Sequence, residues 1–239
     1  MNNKGTRKLL ITGASHGIGA AISKHLLTLG HEVIGISRDF SDWSEQTPGF
    51  HPISCDLSDL ERLPSVLNKI INSHTDLDGA ILNAGYGRFG SLEEFSFQQI
   101  REMIDLNLVQ HLYTARAVVP HLKRGGAGDI IVIGSESALT GGKKGTIYSA
   151  CKFALRGFAQ SLRAECSASG LRVCLINPGM VASDFFDELD FRPGDLPENH
   201  LRVSDIAEVV EMVLNAHPGA VFDEINMNPL KKVIQFTPS

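Results

Sequence analysis

The chain has 239 residues, of which 43 % are hydrophobic and 21 % charged, and its formal net charge is −5. That length and composition suit one large soluble domain whose core needs neither disulfides nor a structural metal. The acidic balance, with basic pairs confined to Lys123-Arg124, Lys143-Lys144 and Lys231-Lys232, excludes a stripe that tracks nucleic-acid phosphates.

The first eight residues are polar and basic, but only Leu9, Leu10 and Ile11 follow before Thr12-Gly13. Such a run is too short for a signal peptide, and no later stretch approaches a membrane span. Cys55, Cys151, Cys166 and Cys174 form no CxxC and no metal-ligand spacing. They read as small buried hydrophobes of a reducing compartment, with no metal site. The expectation is a cytoplasmic protein with no membrane or nucleic-acid partner.

Short β-branched runs predict strands at 8–12, 32–37, 51–55, 79–83, 129–134, 172–177 and 220–226. Several are apolar throughout, such as Ile130-Ile131-Val132-Ile133 and Val173-Cys174-Leu175-Ile176, which suits parallel strands covered on both faces. Amphipathic stretches between them predict helices at 18–29, 59–73, 97–122, 147–169 and 204–216. This near-regular alternation predicts an α/β fold: a doubly wound, parallel, seven-stranded sheet flanked by helices. No repeat, low-complexity tract or linker divides residues 1–239, so one domain is expected.

Functional residues of such a sheet gather where the carboxyl ends of the strands meet the loops. The first strand runs into Thr12-Gly13-Ala14-Ser15-His16-Gly17-Ile18-Gly19. Gly13 permits a tight turn, while Gly17 and Gly19 let backbone approach a pyrophosphate at a helix N-terminus. The spacing is GxxxGxG rather than GxGxxG. Tyr148-x-x-x-Lys152 opens a long helix, which puts both side chains on one face. A free phenol titrates too high for ready proton exchange at neutral pH, and a neighbouring ammonium lowers it. Ser135 lies thirteen residues earlier, just past a strand, with its hydroxyl in reach of the same crevice.

These residues make the chain resemble the short-chain dehydrogenase/reductase family over nearly its whole length, up to about the last strand. Thr12-Gly13-x-x-x-Gly17-x-Gly19 matches that family's nucleotide-binding turn, with Ser15, His16 and Ile18 inside it. Asp56-Leu57 matches the pair that contacts adenine, and Asn83-Ala84-Gly85 matches the motif beside the cofactor that steadies the central sheet. The resemblance implies a single Rossmann domain in which Ser135 orients a carbonyl, Tyr148 exchanges the proton, and Lys152 binds the nicotinamide ribose. It also implies that Asn107 helps hold a water relaying protons from Lys152. Pro178, Gly179, Val181 and Ser183 match the segment that packs on the nicotinamide, with Ser183 at the usual threonine position.

At the end of the second strand an acidic residue would bond a ribose 2′-OH and repel a 2′-phosphate. Ser37-Arg38 stands there instead, with Asp39 two residues past that position and His16 where NADP-using relatives often carry a base. Serine and arginine both bond phosphate oxygens, so NADP(H) is favoured over NAD(H). The other reading leaves Arg38 a solvated charge and gives the ribose to Asp39.

Substrate choice is expected in the loop 139–146 and in a lid at about 183–203, which carries Phe185, Phe186, Leu189 and Phe191 among acids. Those aromatics read either as a cover over an apolar carbonyl substrate or as packing for the lid itself, and the acids as disfavouring anionic substrates. Glu224-Ile225-Asn226-Met227-Asn228-Pro229 replaces the common glycine pair of relatives, so a homodimer through the long helices is favoured over a tetramer. The expected function is NADP(H)-dependent interconversion of a small-molecule carbonyl and an alcohol. The alternative is a catalytically silent NADP(H) sensor, which has no need to keep Asn107, Ser135, Tyr148 and Lys152 together.

Overall fold

The computed structural model describes residues 5–43 and 47–236. Its strands are β1 (Lys8–Thr12), β2 (Glu32–Ser37), β3 (Phe50–Ser54), β4 (Gly79–Leu82), β5 (Gly128–Ile133), β6 (Leu171–Pro178), β7 (Val181–Ala182), β8 (Phe191–Pro193), β9 (Leu201–Arg202), β10 (Glu224–Met227) and β11 (Ile234–Phe236). The helices are α1 (Gly17–Thr28), α2 (Leu63–Ser73), α3 (Phe97–Ile104), α4 (Gln110–Gly125), α5 (Thr146–Cys166) and α6 (Val203–Asn215). Seven strands form one sheet in the order β10-β6-β5-β4-β1-β2-β3, and every pairing in it is parallel.

Alternation along the central strands builds two cores. Leu10, Ile34, Leu82, Ile130, Val132 and Leu175 face α2, α4 and α5, where Leu67, Val118, Leu122 and Leu155 meet them. Their neighbours Leu9, Ile11, Val33, Ile81, Ile131 and Ile176 face α1 and α6, against Ile22, Leu26, Ile206 and Val210. Both sheet faces are therefore apolar, which is why the strands read as unbroken hydrophobic runs. All four cysteines are buried free thiols.

At the amino end of the sheet, Asp129 is buried between two arginines. Its carboxylate lies 2.8 Å from Arg7 Nη1 and 2.7 Å from Arg172 Nε. This triad closes the edge opposite the strand ends that carry the motifs.

Four expected boundaries shift for local reasons. The helix expected from 59 starts at Leu63, because Asp56 and Asp59 accept from the backbone N–H groups of Ser58 and Arg62 and hold a turn there. The helix expected over 97–122 is interrupted by a wider π turn, Asp105–Val109, between α3 and α4. The helix expected to reach 169 ends at Cys166 and is followed by a short 3-10 turn. The last strand starts at Glu224 rather than 220, and residues 220–223 are exposed. Among the described residues no helix is long and apolar enough to cross a membrane.

Candidate active site

The glycine turn is built from its neighbours. Thr12 Oγ1 accepts from the backbone N–H of Asn83 and of Ala84, while Asn83 Nδ2 donates to the carbonyls of Thr12 and Gly13. A Cβ at Gly13 would meet Ala84 Cα at 2.9 Å, and one at Gly19 would meet the Gly13 carbonyl oxygen at 2.0 Å. Gly13, at φ +68°, and Gly19 thus serve the turn's own packing. Gly17, at φ +52°, faces outward, its Cβ direction ending against the Asp184 carboxylate and Ser183 of the lid. The turn lies at the N-terminus of α1, where free N–H groups suit a pyrophosphate, and the lid residues Ser183 and Asp184 lie over it at Gly17.

At the end of β2, Ser15 Oγ lies 2.7 Å from Ser37 Oγ and 2.6 Å from His16 Nδ1, and His16 Nε2 is 3.3 Å from Asp42. Arg38 is exposed beside them. Asp39 is turned away, accepting from the Ser41 N–H and hydroxyl at 2.9 and 2.8 Å. Those bonds hold its carboxyl below the usual range. Asp56 is exposed at the end of β3, whereas the Leu57 side chain is buried in the core. Of that pair, only the Asp56 side chain is open to solvent, because the turn it forms with Ser58 sends Leu57 into the core.

Sequence reasoning passed over Trp43. Its ring stacks on Phe50 at 3.9 Å, its Nε1–H donates to the Ser15 carbonyl, and Lys24 lies 5.3 Å from the ring centroid. No spacing rule marks a lone loop tryptophan, and only the fold carries it to the glycine turn.

Ser135, Tyr148, Lys152 and Asn107 come together at the ends of β4 and β5. Ser135 caps the turn after β5, its Oγ accepting from the Ser137 N–H at 3.1 Å, and its hydroxyl is close enough to the Tyr148 phenol to pull that phenol's proton affinity down. Lys152 Nζ lies 5.5 Å from the Tyr148 ring centroid and donates to the Ile133 carbonyl at 3.3 Å. Asn107 sits inside the π turn, fully buried, and its Oδ1 accepts from the Tyr86 N–H at 3.1 Å. The missing side chain of Gly85 leaves room between them: a Cβ there would lie 2.7 Å from Asn107 Oδ1 and 3.9 Å from Lys152 Nζ.

Burial dominates the electrostatics. Tyr148 is 7 % exposed and its phenol is pushed up to about 12, with the Ser135 hydrogen bond pulling the other way. Lys152 is 4 % exposed, and burial brings its ammonium down to about 8. Burial thus raises the phenol and Ser135 supplies the opposing pull, because desolvation penalises the charged form of tyrosine and lysine alike.

Behind Lys152 lies a polar pocket that pattern reading did not reveal. Asn107 Nδ2, Gln110 Oε1, His111 Nδ1 and His111 Nε2 are buried side-chain atoms with no hydrogen-bond partner. Gln110 Nε2 donates to the carbonyls of Ala84 and Leu106. Burial, with the Lys152 charge adding to it, pushes His111 down to about 3. Buried polar groups of this kind are commonly satisfied by internal water.

In front of Tyr148 opens a cavity of about 820 Å³, bounded by the loop 139–144, Met180, Val181, the lid phenylalanines and β11. Pro178 and Gly179 form part of its wall, and the Gly179 N–H is fixed to the Met227 carbonyl. Ser183 Oγ accepts from the Phe185 N–H at 3.4 Å. Of the lid's acids, Asp190 reaches the cavity, while Asp195 is paired with Arg192 on the outside. A glycine turn at the end of β1 and a buried Ser–Tyr–Lys cluster past β5, on the same edge of a doubly wound parallel sheet, define an oxidoreductase of Rossmann type.

A family model for short chain dehydrogenases matches residues 7–192. The mouse (Mus musculus) dehydrogenase/reductase SDR family member 11 is 30 % identical over 248 residues, covering 95 % of each chain. Among solved structures, an alcohol dehydrogenase from the archaeon Thermococcus sibiricus, complexed with 5-hydroxy-NADP, is 27 % identical with a TM-score of 0.83. It covers 96 % of this chain, which covers 99 % of it. The NADP-bound ElxO structure is 21 % identical with a TM-score of 0.84, over 94 % of this chain and 98 % of that one, and shows the shared fold. The chain belongs to the short-chain dehydrogenase/reductase family.

Proposed function

We propose that this protein is an NADP(H)-dependent carbonyl reductase, interconverting a ketone or aldehyde with its alcohol. The observation that carries the reading is the convergence of Ser135, Tyr148, Lys152 and Asn107 at the strand ends, on the sheet edge that also carries the glycine turn.

The residues present fit the cofactor. The N–H groups at the N-terminus of α1 suit the pyrophosphate, and Ser37, Arg38 and His16 offer donors to a 2′-phosphate while Asp39 is occupied by Ser41. Two relatives bound to NADP or a derivative of it support the same choice. Asp56, Asn83 and Ala84 flank the nucleotide, and Pro178, Gly179, Val181 and Ser183 wall the nicotinamide end. When bound, the cofactor supplies or accepts the hydride.

The chain's own groups do the rest. Ser135 donates a hydrogen bond to the substrate oxygen and holds it beside the phenol. Tyr148, neutral at physiological pH, gives its proton to that oxygen as charge develops. Lys152, with Asn107 and the polar pocket behind it, returns the proton to the phenol.

NADPH consumption across a panel of ketones and aldehydes tests the reading, with Tyr148→Phe alongside. Turnover that falls by on the order of 10²-fold or more in the variant supports it. Tight NADPH binding with no turnover by the wild type favours the sensor reading instead. We also place the protein in the cytoplasm as a homodimer through α3, α4 and α5, which expose Phe97, Tyr113 and Phe153. Light scattering on the eluted protein measures that state.

A further inference from the structure

Five aromatic rings close a loop in front of the candidate catalytic tyrosine. Tyr148 meets Phe89 at 5.4 Å and Phe185 at 6.0 Å. Phe185 meets Phe186 at 5.1 Å, Phe186 meets Phe191 at 5.8 Å, and Phe191 returns to Phe89 at 5.0 Å. The loop joins three separate parts of the chain, and all five rings line the 820 Å³ cavity. Tyr148 is buried and the four phenylalanines are half-buried, so the rings pack on one another and still form a wall of the cavity.

The cavity wall continues beyond the loop. β11 pairs antiparallel with β8, putting Phe236 directly opposite Phe191 and Ile234 opposite Pro193. Directly opposed residues share a face, and Ile234 and Phe236 both line the cavity. They are nonetheless 45 % and 75 % exposed. An apolar strip therefore runs from the phenol outward along β11, bare toward the cavity. Beyond Ser135 and Tyr148, the polar lining is Glu136, paired with Lys232 at 2.7 Å, and Ser137, Thr140, Lys143, Lys144, Asp190 and Asn228. Among the described residues, the strip itself, Phe191, Ile234 and Phe236, presents no side-chain donor or acceptor of the kind that a sugar or a short hydroxy ketone requires.

We infer that the substrate is an elongated apolar ketone or aldehyde, its carbonyl held at Ser135 and Tyr148 inside the ring of aromatics and its hydrocarbon body lying on β11. This rests on the carbonyl-reductase reading and names the substrate class of the same site. β8 and β11 act as specificity-determining elements outside the central sheet. Chain length is recognised by apolar burial, and each methylene laid on the strip strengthens binding about fourfold until the strip is covered.

The test is a homologous series of methyl ketones, from 2-butanone to 2-dodecanone, with NADPH oxidation measured for wild type, Phe191→Ala and Phe236→Ala. Phe236 is largely exposed, so its removal leaves the core intact, and circular dichroism checks that the variants fold. Calorimetry with a matching series of unreactive N-methyl alkanamides gives a second reading that needs no turnover. The expected result is kcat/KM rising severalfold per methylene and amide dissociation constants falling in parallel, both trends flattened in Phe236→Ala. A flat or falling trend, or glyceraldehyde and aldohexoses preferred over ketones of equal size, overturns the inference while leaving the reductase standing. Amide binding that tightens with length while no ketone is reduced overturns the reductase reading and retains the apolar site.

Discussion

Asn177 holds Ser135 to the last strand of the sheet. The buried Asn177 carboxamide accepts from the Ser135 N–H at 3.3 Å through Oδ1, and its Nδ2 donates to Glu224 Oε1 at 3.1 Å and Asn226 Oδ1 at 2.9 Å. Glu224 is in turn fixed by Arg156 of α5 at 2.9 Å. The serine beside the phenol is thus placed by a chain of polar contacts that ends at the sheet's edge.

Asn177→Ala breaks that chain while leaving the Ser135 hydroxyl present. Turnover is expected to fall about tenfold or more through misplacement of Ser135. Stability falls by about 1–3 kcal/mol as Glu224 and Asn226 lose their donor. Steady-state kinetics and urea denaturation measure the two effects, and an unchanged kcat removes the positioning role.

The raised phenol sets a pH dependence with a definite sign. A group that titrates near 12 is protonated at neutral pH, so the proton needed for reduction is present from pH 6 to 10. Alcohol oxidation needs the deprotonated form, and its kcat/KM is expected to climb by up to about tenfold per pH unit on the alkaline side. An oxidation profile that levels off below pH 8 means that bound cofactor or substrate has lowered the phenol, and contradicts the prediction.

Lys152 lowers the fold's stability while serving its chemistry. Its folded-state value, about 8, lies below the ordinary lysine value. The unfolded chain therefore binds more protons between pH 8 and 10.5, and stability contributed by this site rises with pH there. Lys152→Met is expected to stabilise the protein at pH 7 by on the order of 1–3 kcal/mol while abolishing turnover. Denaturant midpoints for the two proteins decide it; a less stable variant would show that the ammonium is held by stronger partners than the Ile133 carbonyl.

His111 should dominate the acid limb. Buried and held near 3, it stays neutral in the folded state while the unfolded chain takes up a proton below about 6.5. The stability it contributes is present above 6.5 and is lost as pH falls toward 3. Between pH 7 and 5 the loss is about 2 kcal/mol, and His111→Gln is expected to remove that slope. Equal slopes for wild type and variant would falsify the assignment.

Cofactor choice turns on the end of β2. Ser37→Asp introduces a carboxylate where a 2′-phosphate is expected, next to Ser15. The ratio of kcat/KM for NADPH over NADH should drop by about tenfold or more. A ratio that does not move would return the ribose to Asp39.

The alternation of apolar runs and amphipathic stretches was enough to define the doubly wound sheet, because strands buried on both faces must be apolar throughout. Glycines and polar residues at the strand ends were legible for the same reason: parallel strands put every carboxyl end on one edge. Tyr148 and Lys152 were legible through helical spacing alone. Less could be read at the edges of elements, where Asp56 and Asp59 delay α2 and the π turn splits α3 from α4.

What tertiary structure alone decided is which side chains meet and how far they are desolvated. No one-dimensional pattern reveals that Leu57 points into the core, that Trp43 stacks beside the glycine turn, or that Phe89 and Phe191 close a ring with Tyr148. Nor does helical spacing foretell that burial raises the tyrosine. Local sequence sets backbone geometry through short-range sterics and periodicity, whereas proton affinity and cavity shape depend on groups far apart in the chain that only folding brings into contact.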